Sequence, residues 1–197
     1  GNKYRCDYLM AVSTNLKTIA LELVEGWKPG GETEKIWTTP GPENAVLRSD
    51  REAINEVLGT LVHGLEAVRD LRIGVFLRKE AAKDRPRVAI LRRSDNSLPM
   101  IIGNIAAAEK MLNTSQIATL VDGTGLSALD RILFDLQNAR KALSAIDVPI
   151  AEALQDPQSR QKIVYAGTAV GFAIKTADQD FATAAGLSSG FSFSDGD

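Results

Sequence analysis

The stretch Ser49-Asp50-Arg51-Glu52-Ala53-Ile54-Asn55-Glu56-Val57-Leu58-Gly59-Thr60-Leu61-Val62-His63-Gly64-Leu65-Glu66-Ala67-Val68-Arg69-Asp70-Leu71-Arg72 decides the fold. It opens as a capping box: Ser49 can accept from the amide of Glu52, while the Glu52 carboxylate reaches back to Ser49. Ile54, Val57, Leu58, Leu61, Leu65 and Val68 then recur at three- and four-residue steps, which at about 100° per residue gather into one apolar stripe. An amphipathic helix packed on other helices follows. Glu52, Glu56, His63, Glu66 and Asp70 fall on the opposite face, with His63 about 180° from the stripe. His63 is the only histidine of the chain, and Glu66 follows it at i+3.

Outward from this helix, the same period recurs. Residues from about Tyr4 to Trp27 form a first helix with Leu9, Leu16, Ile19, Leu23 and Trp27 on its apolar face, ended by Lys28-Pro29-Gly30-Gly31. A connection of some twenty residues follows, with Thr39-Pro40-Gly41-Pro42 at its middle, long enough to be an ordered surface loop that contributes to a site. Beyond the central helix, which frays near Gly74, runs a basic link from Arg78 to Arg93, where Val88-Ala89-Ile90-Leu91 is the one strand-like run. Ser97-Leu98-Pro99 reads as a cap with proline in the first turn of a helix to about Leu112. A short helix from Ser115 to Val121 precedes a strongly periodic one from Leu126 to Ile146, which Asp147-Val148-Pro149 breaks. Asp156-Pro157 starts the last long helix, with Gly186 as its C′ residue. The fold class is all-α, an up-and-down bundle of about five main helices over residues 1–187, followed by a non-helical tail over 188–197 whose Phe191 and Phe193 could dock on the bundle.

Composition narrows the function classes. The 197 residues carry a net charge of −2, which points away from nucleic acid and anionic membranes. No apolar run approaches the roughly 18 residues of a membrane span. The single cysteine, Cys6, excludes an internal disulfide and suits either the cytosol or a periplasmic helical protein. One histidine rules out a zinc site of the H-E-x-x-H type. Cys6 has Arg5 and Asp7 beside it but no base. Gly123-Thr124-Gly125-Leu126-Ser127-Ala128 fits G-x-G-x-x-A, yet no alternation of strands and helices surrounds it, so it reads as a helix–helix turn.

Two places can carry chemistry. His63 and Glu66 project from one helix face closely enough to share a metal ion, with Asp70 or a carboxylate from another helix completing the shell. A solvated polar face is the plainer reading of the same residues. The basic link holds seven positive charges, including Arg85, Arg87, Arg92 and Arg93, against Glu80 and Asp84, enough to attract a polyanion such as an acidic glycan.

Several signatures together resemble the imelysin family, the peptidase M75-like proteins of bacteria. They are Arg5-Cys6-Asp7-Tyr8-Leu9 before a helix ending in Trp27, Pro40-Gly41-Pro42-Glu43-Asn44 leading to Arg48-Ser49-Asp50-Arg51-Glu52-Ala53, Leu65-Glu66-Ala67-Val68-Arg69-Asp70-Leu71-Arg72-Ile73, and Gly186-Leu187-Ser188-Ser189-Gly190-Phe191 with Asp195-Gly196-Asp197. The resemblance covers the C-terminal half of a typical member and implies an upstream N-terminal bundle of the same protein as partner. It also implies a helical, periplasmic or surface-anchored protein associated with iron uptake, peptidase activity or acidic-polysaccharide binding. Of the family signature G-x-H-x-x-E, thought to hold a metal, the chain carries the H-x-x-E part at His63-Gly64-Leu65-Glu66 and departs from it at Leu61, which stands at the glycine position. The expectation is a non-enzymatic periplasmic binding protein for a metal ion, iron or zinc, held by His63, Glu66 and Asp70. A metal-dependent peptidase and an acidic-polysaccharide or protein-interaction module are the alternatives. An apolar face left exposed would be covered by a second copy of the chain, as a homodimer.

Overall fold

The computed structural model describes residues 2–188; Gly1 and residues 189–197, with both tail phenylalanines, lie outside the described residues. The fold is all-α, and the described residues contain no strand, the run Val88–Leu91 included. Eight α-helices follow in order: α1 (Asn2–Trp27), α2 (Glu32–Thr38), α3 (Asp50–Glu66), α4 (Ser97–Thr114), α5 (Gly123–Ser144), α6 (Ile150–Ala153), α7 (Pro157–Lys175) and α8 (Ala182–Ala185). Two π-helical turns extend them, Ala67–Ile73 directly after α3 and Thr176–Phe181 between α7 and α8. The chain divides into two compact units, Gly1–Ile54 and Asn55–Asp197.

In the first unit α1 runs for 26 residues and buries none of them among the described residues. Leu9, Leu16, Ile19 and Leu23, the expected apolar face, all stand exposed, as does Val12 between them. Trp27 stacks on Trp37 of α2 with ring centroids 6.3 Å apart. Helix α2 occupies the first part of what reads in sequence as one long loop; its seven residues are too few to show a period against the flanking glycines and prolines. The remaining loop is ordered by one side chain. Asn44 donates through Nδ2 to the carbonyls of Ile36 and Thr39, and its Oδ1 accepts from the amides of Val46 and Leu47. The capping box forms with one change: the Glu52 amide donates to Ser49 Oγ at 3.2 Å, and the Glu52 carboxylate accepts from Arg48 N, one residue upstream of the expected partner.

The second unit is a four-helix bundle. The π-turn after α3 packs against α4 and α7, and α5 packs against those same two helices from the other side. Helices α5 and α7 are antiparallel: Arg131 pairs with Asp180 at one end, and Lys162 donates to the Ala145 carbonyl at the other. Phe76, Leu65, Ile105, Leu136, Leu143, Ile163 and Val170 fill the centre. Ser97 is not a cap; buried, its hydroxyl donates to the Ile90 carbonyl at 2.6 Å and ties the end of the basic link to α4. Asp156 does cap α7, accepting from the Ser159 amide at 2.8 Å, with Pro157 in the first position. Gly186 closes α8 at φ +63°, with Leu187 N donating to Ala182 O and Gly186 N to Thr183 O, a Schellman arrangement.

Candidate functional site

The expected metal residues lie where α3 passes into its π-turn. Glu66, the last residue of α3, is 7% exposed and His63, one turn earlier, is half-buried, whereas Glu52 and Glu56 of the same face stand exposed. The stripe read from sequence is too narrow because Ala53 and Val62 are buried as well. Asp70 stands in the π-turn and is held there: Arg69 Nε donates to Oδ1 at 2.7 Å and a terminal Arg69 nitrogen donates to Oδ2 at 2.6 Å. The Asp70 hydrogen bond raises the Arg69 pKa above its ordinary value. Partial burial opposes this, and the charges of Asp70 and then Glu66 reinforce it. Arg69 is thus the residue that sequence reasoning missed. Its position three after Glu66 and one before Asp70 is a signal that could have marked it as their counter-charge.

This arrangement decides how well a metal fits. A transition-metal site on a protein draws three or four side-chain donors. His63 and Glu66 supply two, and both oxygens of Asp70 already accept from Arg69. Among the described residues no group of three or more His, Cys, Asp or Glu side chains is placed to hold a metal ion. The residues present therefore do not complete a metal shell.

The basic link is built from short 3₁₀ turns, Ala81–Lys83, Pro86–Val88 and Arg92–Ser94. Leu91 and Asp95 take left-handed φ values of 60° and 54° on either side of the last turn. Asp84 points inward. It accepts from Arg160 of α7 at 2.7 and 3.2 Å and from the Arg78 amide at 2.7 Å. Arg160 also donates to the Arg78 carbonyl, and its pKa is raised chiefly by the Asp84 hydrogen bond. Glu80 pairs with Lys83. Both acidic residues of the link are thereby engaged, while Arg85, Arg87, Arg92 and Arg93 all stand exposed, Arg92 donating to the Arg87 carbonyl.

A third feature has no signature in the sequence. Between α3 with its π-turn and α4 lies a cleft of about 360 Å³. Leu61, Ala107, Ala108 and Met111 line it, with Thr60, Asn104 and Arg72 as its polar groups. The Arg72 Nε is buried and has no hydrogen-bond partner among the described residues. In the first unit, the loop Thr39–Ala45 and α2 enclose a broader, open cleft of about 550 Å³ around Lys35 and Ile36.

No helix among the described residues is long and apolar enough to cross a membrane. No curated protein and no solved structure matches the chain. The family model described as Imelysin, peptidase M75, matches residues 1–175. That match spans both compact units and takes in the capping box, the His63–Glu66 turn, the basic link and most of the four-helix bundle, so the chain belongs to the imelysin family.

Proposed function

We propose that this imelysin-family chain is a non-enzymatic binding protein working in the bacterial periplasm. Its ligand is a metal ion, iron first and zinc second, to which His63 and Glu66 contribute two donors of a shell completed from beyond the described residues. The observation that carries the reading is the burial of the Glu66 carboxylate at the point where α3 widens into a π-turn, a local geometry frequent at functional sites. Asp70, each of whose oxygens accepts one hydrogen bond from Arg69, would join such a shell through the lone pairs left on them. A lone histidine, with no second histidine to complete an H-E-x-x-H site, argues against a self-contained peptidase. Calorimetric titration of Fe, Zn and Mn ions into the chelator-stripped chain tests this. Near-stoichiometric binding that His63→Ala and Glu66→Gln abolish supports the reading, and the absence of binding removes it. Peptide hydrolysis stopped by a chelator would favour the peptidase instead.

A second reading is favoured by the inward turn of Asp84. With that charge neutralised by Arg160, the link presents Arg85, Arg87, Arg92 and Arg93 as an exposed cationic surface suited to an acidic polysaccharide. Binding to alginate-like polyuronate should weaken steeply between 50 and 500 mM salt and fall further in an Arg92→Ala, Arg93→Ala double variant, with ~10 Å screening at 0.1 M setting the scale. Salt-insensitive binding, or none, would exclude this surface.

A further inference from the structure

We propose that the cleft between α3 with its π-turn and α4 binds a small organic carboxylate, with Arg72 holding the carboxylate and Leu61, Ala108 and Met111 receiving its apolar body. Three observations converge on it. The cleft volume, about 360 Å³, lies at the small end of ligand sites, which run from roughly 300 to 1,000 Å³, and its walls are apolar with few polar groups. Arg72 is the one charged side chain lining it, and no carboxylate lines it, so the local field selects an anion. The Arg72 Nε is buried without a hydrogen-bond partner among the described residues, whereas Arg69, Arg140 and Arg160 of the same unit each set Nε on a carboxylate. A buried donor left without an acceptor is rare in folded proteins, and here it accompanies a guanidinium that no carboxylate among the described residues holds.

The π-turn explains why Arg72 reaches this cleft. In a continuous α-helix Gly64 and Arg72, eight residues apart, would point about 80° away from each other. A π-turn closes each bond one residue later, so Arg72 comes round over the face that carries Gly64, and both residues line the cleft. The chemistry of the ligand follows from the donor. The two terminal guanidinium nitrogens form a planar fork that matches a carboxylate. A single guanidinium with only the neutral Asn104 amide and Thr60 hydroxyl beside it is a poor match for a dianionic phosphate, which draws several cations. Neither His63 nor Glu66 lines the cleft, so this inference stands or falls apart from the metal reading.

The test is an amide and Arg Nε–H NMR titration of the ¹⁵N-labelled chain with sodium hexanoate at constant ionic strength, with hexanamide and inorganic phosphate as parallel probes. The expected result is saturable shifts at Gly64, Ala67 and the Arg72 Nε–H with hexanoate, with at least tenfold weaker binding of hexanamide and phosphate. Arg72→Met, which keeps the apolar stem, should weaken hexanoate at least tenfold. Gly64→Leu should do the same by filling the cleft, since nothing stands within 4 Å of an added Cβ at Gly64. That variant and the hexanamide comparison decide the matter even where Arg72→Met fails to fold. No saturable shift with hexanoate, equal binding of hexanamide or phosphate, or unchanged binding in Gly64→Leu would overturn the proposal.

Discussion

Asp84 lies in the most basic stretch of the chain, yet its side chain is 5% exposed and its Arg160 partner 15%. Removing one member of such a pair leaves the other charge buried and uncompensated. Asp84→Asn should therefore destabilise the second unit by about 3 kcal/mol, read as a lower urea midpoint at unchanged slope. Gly74 closes the π-turn by donating to the Arg69 carbonyl at 2.8 Å. A Cβ there would stand 2.9 Å from the Asp70 carbonyl oxygen, closer than real Cβ atoms come to a backbone atom. Gly74→Ala should cost about 1–3 kcal/mol by overpacking, whereas Gly64→Ala, with open space around it, should not destabilise. Asp156 gives a pH-dependent test. The Ser159 hydrogen bonds hold its carboxyl below the ordinary 3.8. The folded state thus binds that proton less readily than the unfolded chain, and the cap's stabilisation is present above the ordinary carboxylate range and lost as the pH falls through the depressed value. Asp156→Ala should melt below wild type at pH 7, and the gap should narrow by pH 3. A constant gap would show that the charge of Asp156 is not what stabilises α7.

At the scale of elements, α1 is the outlier. Leu9, Val12, Leu16, Ile19 and Leu23 follow one another at alternating three- and four-residue steps, the spacing of a coiled-coil seam, and all are exposed. The homodimer reading expects that seam to be covered by a second copy of the chain. Sedimentation should then show mass doubling with concentration, and Leu16→Glu should return the chain to a monomer. A strictly monomeric wild type at high concentration would end that reading. The π-turns are the other departure from expectation. Helices α3, α4, α5 and α7 were legible because each holds a 100° apolar period over four turns or more, and the caps at Ser49, Asp156 and Gly186 stand where local hydrogen-bonding chemistry places them. A π-turn breaks that period without a characteristic residue, so the angular positions of Arg69, Asp70 and Arg72 could not be read from spacing. That is why Asp70 could be grouped with His63 and Glu66 in sequence while in the fold Arg69 grips it. The chemistry of the candidate site was visible in composition; its geometry was not.

At the scale of the whole molecule, the bundle core of the second unit is the main store of stability. Leu136 of α5 is fully buried at its centre, so Leu136→Ala should cost about 2–5 kcal/mol, within the range of large-to-small core substitutions. The aromatic stack described between α1 and α2 has a different use. Trp27 and Trp37 are the only tryptophans in the chain, and both belong to the Gly1–Ile54 unit. Intrinsic tryptophan emission therefore reports on that unit alone, while far-ultraviolet circular dichroism sums the helices of both. The two optical signals become separate labels that no probe has to be attached to obtain. Coincident transitions during denaturation would mean that the chain melts as one cooperative body, and an emission change preceding the loss of ellipticity would mean that it melts in two.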